Sequence, residues 1–217
     1  MVSGLSWNED YVDDGVSNVI EMLFGAGQHD YAAYAAHLPL IAPPGSSFVY
    51  SSGSTNLVAK ALGDAIGTEL MASFVADRLF APLGMRSAEA RFDAAGTFAG
   101  SSFVYATARD FAKFGYLYLR DGMWEGERLL PPGWVTRART LTPQSRVEEV
   151  HDYGEHWWLW RDRLGELGAF GAHGYEQQYI LVVPACDLVI VRLGKSTAPT
   201  HPAVRQWMRD VVGCFAG

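Results

Sequence analysis

The 217-residue chain is expected to fold as an α+β structure, and three observations carry that expectation. Helical patterns dominate residues 1–150. Two β-rich runs, Tyr179–Val183 and Leu188–Leu193, fall in the strand-rich segment 151–217. An amphipathic stretch, "TAPTHPAVRQWMRDVVGCF", then closes the chain. Strands gathered late in a sequence and followed by a helix suit an antiparallel sheet that takes the terminal helix on one face.

In chain order, "VSNVIEMLFGA" places Val16, Val19, Ile20 and Leu23 at helical spacing. "YAAYAAHLPL" reads as a short helix ending before Pro39. "APPGSSFVYSS" reads as a turn followed by an extended segment, Phe48-Val49-Tyr50. Leu57, Val58, Ala61, Leu62, Ala65 and Ile66 share one face of a helix that Gly67 suits as a cap. A second helix over roughly 69–80 carries Leu70, Phe74 and Leu79 and stops at "APLGM". "ATARDFAKFGYLYLRDG" is the best-marked helix. Thr107 and Asp110 stand three apart as in a capping box, and Phe111, Phe114, Leu117 and Tyr118 form its buried face. "LLPPGWVTRA" predicts a helix with proline in its first turn. A tight Pro-Ala-Cys-Asp turn makes the two β-rich runs a hairpin. The terminal helix presents Val204, Trp207, Met208, Val211 and Val212.

Composition narrows the function. Hydrophobic residues make up 49% and charged residues 19%, as in a globular protein with a substantial core. Aromatics at 13%, with seven tryptophans, fit such a core or an aromatic-lined cleft. A net charge of −7 argues against nucleic acid or an anionic membrane as partner. No apolar run reaches the roughly 18 residues of a spanning helix. "MVSGLSWNEDY" lacks the basic and apolar regions of a secretory signal. Cys186 and Cys214 read as free structural thiols.

Several complete signatures are absent: G-x-S-x-G, H-E-x-x-H, a phosphate loop and a dinucleotide fingerprint. His151 and His156 are five apart, which fits no common zinc spacing. Neither a metal nor a cofactor is expected. The serine cluster around Tyr50 is the most pointed feature left. On chemistry alone it reads as a half-buried strand tyrosine, hydrogen-bonded to backbone, before a helix.

Five blocks change that reading: "MVSGLSWNEDY", "PPGSSFVYSSGSTNLVAKAL", "GSSFVYATARDFAKFGYLYLRDGMWEGERLLPPGWV", "YGEHWWLWR" and "GAHGYEQQYILVVPACDLVIVRLG". In this order they resemble the serine hydrolases of the class C β-lactamase and penicillin-binding protein group. The branch of 6-aminohexanoate-dimer hydrolases and related esterases is the most similar. The resemblance covers nearly the whole chain and implies a β-lactamase-like fold: an antiparallel sheet flanked by helices, with a mostly helical region.

That group works with three elements: Ser-x-x-Lys, whose serine attacks the acyl carbon; a Tyr-x-Asn or Tyr-x-Ser element sharing the proton transfer; and a Lys/His-Thr-Gly-like strand beside the oxyanion hole. The second matches Tyr50-Ser51-Ser52. Tyr50 then becomes the catalytic candidate, and Ser52 stands where the lactamases carry asparagine. The third matches "GAHGYEQQ", so that Gly174 aligns with the motif glycine and Tyr175 supplies the oxyanion N–H. The basic residue is shifted by one, from Ala172 to His173. Such a shift turns a side chain to the other face of a strand, so His173 lines the cleft or points into the core. Trp157, Trp158 and Trp160 wall the cleft or fill the core, with Trp158 the candidate for substrate contact.

The first element is missing. The residues three before Lys60, Lys113 and Lys195 are Leu57, Asp110 and Arg192. The resemblance therefore implies that the nucleophile segment lies upstream of Met1, that this is a C-terminal portion, and that compartment and oligomeric state stay open. The expected function is ester, amide or β-lactam hydrolysis on small molecules through an acyl-enzyme, with this portion inactive alone and marginally stable. The alternative is a non-catalytic relative that binds peptides or cell-wall fragments.

Overall fold

A computed structural model describes residues 1–11, 17–147 and 151–216. The chain divides into two compact units: Met1–Pro82 with Arg86–Tyr105, and Leu83–Met85 with Ala106–Gly217. The sequence drew its regional boundary near 150. The structure groups the long helix after Tyr105 with the sheet instead, because that helix packs on the sheet's last two strands.

The first unit is helical. It holds α1 (Asn18–Phe24), α2 (Tyr31–Ala36), α3 (Ser52–Ile66) and α4 (Met71–Val75). Ser17, Asp30 and Ser51 cap the first three, each side-chain oxygen accepting from a backbone N–H in the first turn. Val19 and Met22 of α1 are fully buried with Leu23, Tyr31 and Ala99, whereas Val16 lies outside the described residues. Gly67 ends α3 at φ 95, as its sequence predicts.

The buried face of α3 is not the expected one. Ser52, Gly53, Asn56, Ala59 and Gly63 are buried, while Val58 and Leu62 are 61% and 38% exposed. Small and polar residues allow close packing that the aliphatic stripe does not, and periodicity cannot say which stripe faces inward. The segment after α3 also differs. It opens with a 3-10 turn, Thr68–Leu70, and ends in a wider turn, Ala76–Phe80, with Met71 and Val75 buried instead of Leu70.

The second unit is built on an antiparallel five-stranded sheet, in sequence order: β3 (His151–Tyr153), β4 (Trp158–Trp160), β5 (Phe170–Gly174), β6 (Gln178–Val183) and β7 (Leu188–Arg192). A separate two-stranded ribbon joins β1 (Met123–Trp124) to β2 (Glu127–Arg128). The β6–β7 hairpin turns on Pro184–Cys186, with Asp187 in the left-handed region at φ 50.

One sheet face carries Trp160, Tyr179, Leu181, Val183 and Ile190, and packs on Met208 and Val212 of α8 (His201–Gly213). Val204 and Val211 join that cluster, but Trp207 is 44% exposed. The opposite face carries Phe170, Ala172, Val182 and Val189. It packs with Trp157 and with Phe114 and Tyr118 of α5 (Ala108–Leu119). Thr107 caps α5 by accepting from the Asp110 N–H at 3.3 Å. Gly115 lets α5 approach the sheet: a Cβ there would stand 2.7 Å from Val189 Cγ1 and 2.9 Å from Ile180 Cγ2.

The helix α6 (Trp134–Ala138) starts after Gly133, at φ 78, so both prolines precede it and neither occupies its first turn. A one-turn helix, α7 (Arg163–Glu166), sits between β4 and β5. Cys186 and Cys214 are free. Among the described residues, no helix is long and apolar enough to cross a membrane.

Candidate active site

Tyr50 is half-buried in the stretch without regular secondary structure that leads into α3. The serines around it build the turn. Ser51 Oγ accepts from Ser54 N at 3.0 Å, and the Ser3 and Ser54 hydroxyls meet at 2.9 Å. Ser52 is committed to a carboxylate: its N–H donates to Glu9 Oε2 at 2.9 Å and its hydroxyl donates to Glu9 Oε1.

Glu9 gathers more than Ser52. Trp7 Nε1 donates to the same carboxylate, and Tyr11 Oη donates to it at 3.3 Å. The Trp7 ring lies over Gly53, where a Cβ would stand 2.4 Å from Cζ3. Burial, then the Glu9 carboxylate, then Tyr50 push the Tyr11 phenol above its ordinary pKa. Tyr50 thus stands in the electrostatic reach of a second tyrosine. One turn into α3, Asn56 is fully buried. Its amide donates to Ser52 O and Ser101 Oγ, both at 3.0 Å, and its oxygen accepts from Gly100 N at 3.1 Å. The helix start is therefore fixed from both sides.

Sequence reasoning missed Glu9, Tyr11 and Asn56. The signal for the first two was the alternation Trp7-x-Glu9-x-Tyr11, which puts three polar-tipped side chains on one side of an extended segment. The signal for Asn56 was its place four residues after Ser52, one helical turn on.

In the second unit, β5 splits the motif between two faces. Ala172 belongs to the face packed against α5, with Phe170 and Val182. His173 pairs with Tyr179 across the ladder and lies with it and Trp160 on the face packed against α8. Of the two positions the sequence left open for His173, the structure shows the core side. Trp158 stacks on the His173 ring at 5.4 Å, so these two candidates come together. Trp157 and Trp160 are buried, one on each sheet face. Gly174 and Tyr175 open the β5–β6 turn, where Glu176 and Gln177 take φ 57 and φ 67. Tyr175 is 53% exposed, and its carbonyl accepts from Gln178 Nε2 at 3.3 Å. Among the described residues there is no cluster of three or more His, Cys, Asp or Glu side chains that could hold a metal ion.

Known proteins share this framework. A 6-aminohexanoate-dimer hydrolase from Paenarthrobacter ureafaciens is 28% identical over 95% of this chain and 55% of its own length. A solved Bacillus anthracis protein, provisionally described as a 6-aminohexanoate-dimer hydrolase, superposes with a TM-score of 0.78 at 22% identity, over 96% of this chain and 57% of that one. A beta-lactamase from Mycobacterium bovis gives a TM-score of 0.59 at 18% identity, over 95% of this chain and 78% of that one. The chain spans about half the length of the curated hydrolase it matches. The Beta-lactamase family model matches residues 1–214, and the chain belongs to that family.

Proposed function

We propose that these 217 residues are the proton-transfer and oxyanion part of a serine acyl hydrolase acting on small esters, amides or lactams. The observation that carries this reading is the Tyr50 turn. A tyrosine at the motif position stands beside a helix start that is over-determined by Glu9, Ser51 and Asn56, which is the preorganisation an acid–base group needs.

In this mechanism a serine from outside these residues attacks the acyl carbon. Its proton is shared between the lysine of that Ser-x-x-Lys, also outside these residues, and Tyr50, and the carbonyl electron pair moves to oxygen. Within the second unit, the motif match makes the Tyr175 N–H the candidate oxyanion donor and Gly174 the residue that leaves room for an acyl group. As the tetrahedral intermediate collapses, the Tyr50 phenol returns its proton to the leaving group. Water then attacks the acyl-enzyme by the same route in reverse. Ser52 is committed to Glu9, and His173 and Trp158 lie together on the sheet face that takes α8, so all three support the framework and none is placed in the chemistry.

The 217 residues contain no Ser-x-x-Lys, so they are expected to turn over no substrate alone. The test assays them against p-nitrophenyl acetate, a chromogenic cephalosporin and the 6-aminohexanoate dimer, beside a chain extended upstream in the same reading frame. Activity in the extended chain alone, lost in Tyr50→Phe, supports the proposal. Turnover by the 217 residues that Tyr50→Phe abolishes would overturn it. An extended chain without Ser-x-x-Lys would favour the binding protein.

A further inference from the structure

The sheet face that takes α8 carries an arrangement the hydrolase reading does not use. His151 of β3 and His173 of β5 stand 4.8 Å apart between ring centroids, edge to face. Trp160 lies 4.6 Å from His151 and 4.7 Å from His173, and Tyr179 lies 4.8 Å from His173. Trp158 stacks on His173 at 5.4 Å and meets His151 edge to face at 5.9 Å. The Nε2 atoms of both histidines are buried and have no hydrogen-bond partner among the described residues. Two imidazoles thus share an aromatic cage that offers those nitrogens no acceptor.

The surrounding charges give a proton little help. On α8, Arg205 acts against a charge on either ring and Arg209 against one on His151. Arg161, at the end of β4, also disfavours it and is itself paired with Asp152 at 2.8 Å. Arg192 of β7 bears on the neighbouring Tyr179. Asp162, the N-cap of α7, favours a charged His151, yet it already accepts from Arg209 Nε and Leu164 N, each at 2.9 Å. Burial is the largest cause, and it holds His151 down to about 4 and His173 well below the usual imidazole range.

A neutral pair is therefore at ease in the cage. A protonated ring loses its hydration and meets a second imidazole and cationic α8 side chains. We propose that the His151–His173 pair is a proton-sensitive latch: neutral, it lets α8 seal the back of the sheet; protonated, it releases that helix.

The sign follows from linkage. Released rings regain an ordinary pKa near 6.5, above their sealed values, so the open state binds more protons between about pH 6.5 and 4. The histidines' contribution to the seal is fully present above about 6.5 and shrinks as pH falls toward 4, through a growing minority of opened chains whose rings are protonated. Each histidine shifts the opening equilibrium by up to about tenfold per pH unit.

Hydrogen exchange on the 217-residue chain at pH 7 and pH 5, corrected for the intrinsic rate, reads this directly. Amides of α8 are expected to lose about tenfold or more of their protection, while those of α3 keep theirs. His151→Phe with His173→Phe removes the pH effect, and His201→Gln, at the start of α8, leaves it. Imidazole ¹⁵N spectra of the unaltered chain give a second readout: His151 and His173 stay neutral at pH 5. Unchanged α8 protection between the two pH values, or ordinary titration of both rings, would overturn the latch.

Discussion

The Tyr50 turn and the histidine cage treat buried polarity in opposite ways. Around Tyr50, the Glu9 carboxylate takes hydrogen bonds from three residues, and both ends of the Asn56 amide are engaged. In the cage, two imidazole nitrogens have no hydrogen-bond partner among the described residues. A satisfied network resists change, because removing any member strands the others. An unsatisfied pair is stable only while it stays uncharged. The first arrangement suits a site that must hold its shape, and the second suits a site that responds to conditions.

This contrast can be broken or sharpened by substitution. The largest effect is expected at Phe170, which is fully buried beside the cage but on the opposite sheet face. Phe170→Ala should cost about 4 kcal/mol in urea unfolding; a small cost would mean that the sheet core is not the main support of its unit. Asn56→Ala comes next, at about 2–3 kcal/mol, because Gly100 N loses its acceptor and Ser101 Oγ loses one of its two hydroxyl contacts. Replacing His173 by Phe should instead be neutral or slightly stabilising near pH 7. A loss as large as that of Asn56→Ala would erase the difference between the two regions. Thr107→Ala removes the α5 cap and should cost about 1 kcal/mol. The smallest effect belongs to Asp64→Asn, which deletes an exposed i,i+4 pair with Lys60 and should change the urea midpoint by less than about 0.5 kcal/mol equivalent.

Elements whose pattern has one solution were legible in the sequence. Thr107 before an apolar-periodic run could only open a helix, and the Pro-Ala-Cys-Asp turn between two β-rich runs could only join a hairpin. Where two faces of a helix could both be buried, the pattern misled. The aliphatic stripe of α3 looked like the core side, yet the Ser52, Gly53 and Asn56 side packs inward, since hydrogen bonds and close approach outweigh side-chain size there. The site was half legible. Tyr50 was proposed through its motif, whereas Glu9 acts across 43 positions and no local pattern reports such a contact. His173 shows the limit most sharply: strand alternation offered two faces, and only the pairing with Tyr179 selects one.

Gly115 has a consequence for how α5 can be oriented about its own axis. The van der Waals surfaces of Val189 and Ile180 leave room for one hydrogen atom at that point of the helix. A helix advances 100° per residue, so seating position 115 against the strands also sets the azimuth of every other side chain on it. Phe114 then lands parallel to the Trp157 ring at 5.9 Å, and Tyr118 meets the same indole at 4.4 Å. The glycine works as a keyway: any bulkier residue would roll the cylinder, and the aromatic stack would lose its alignment before the helix lost a single backbone hydrogen bond.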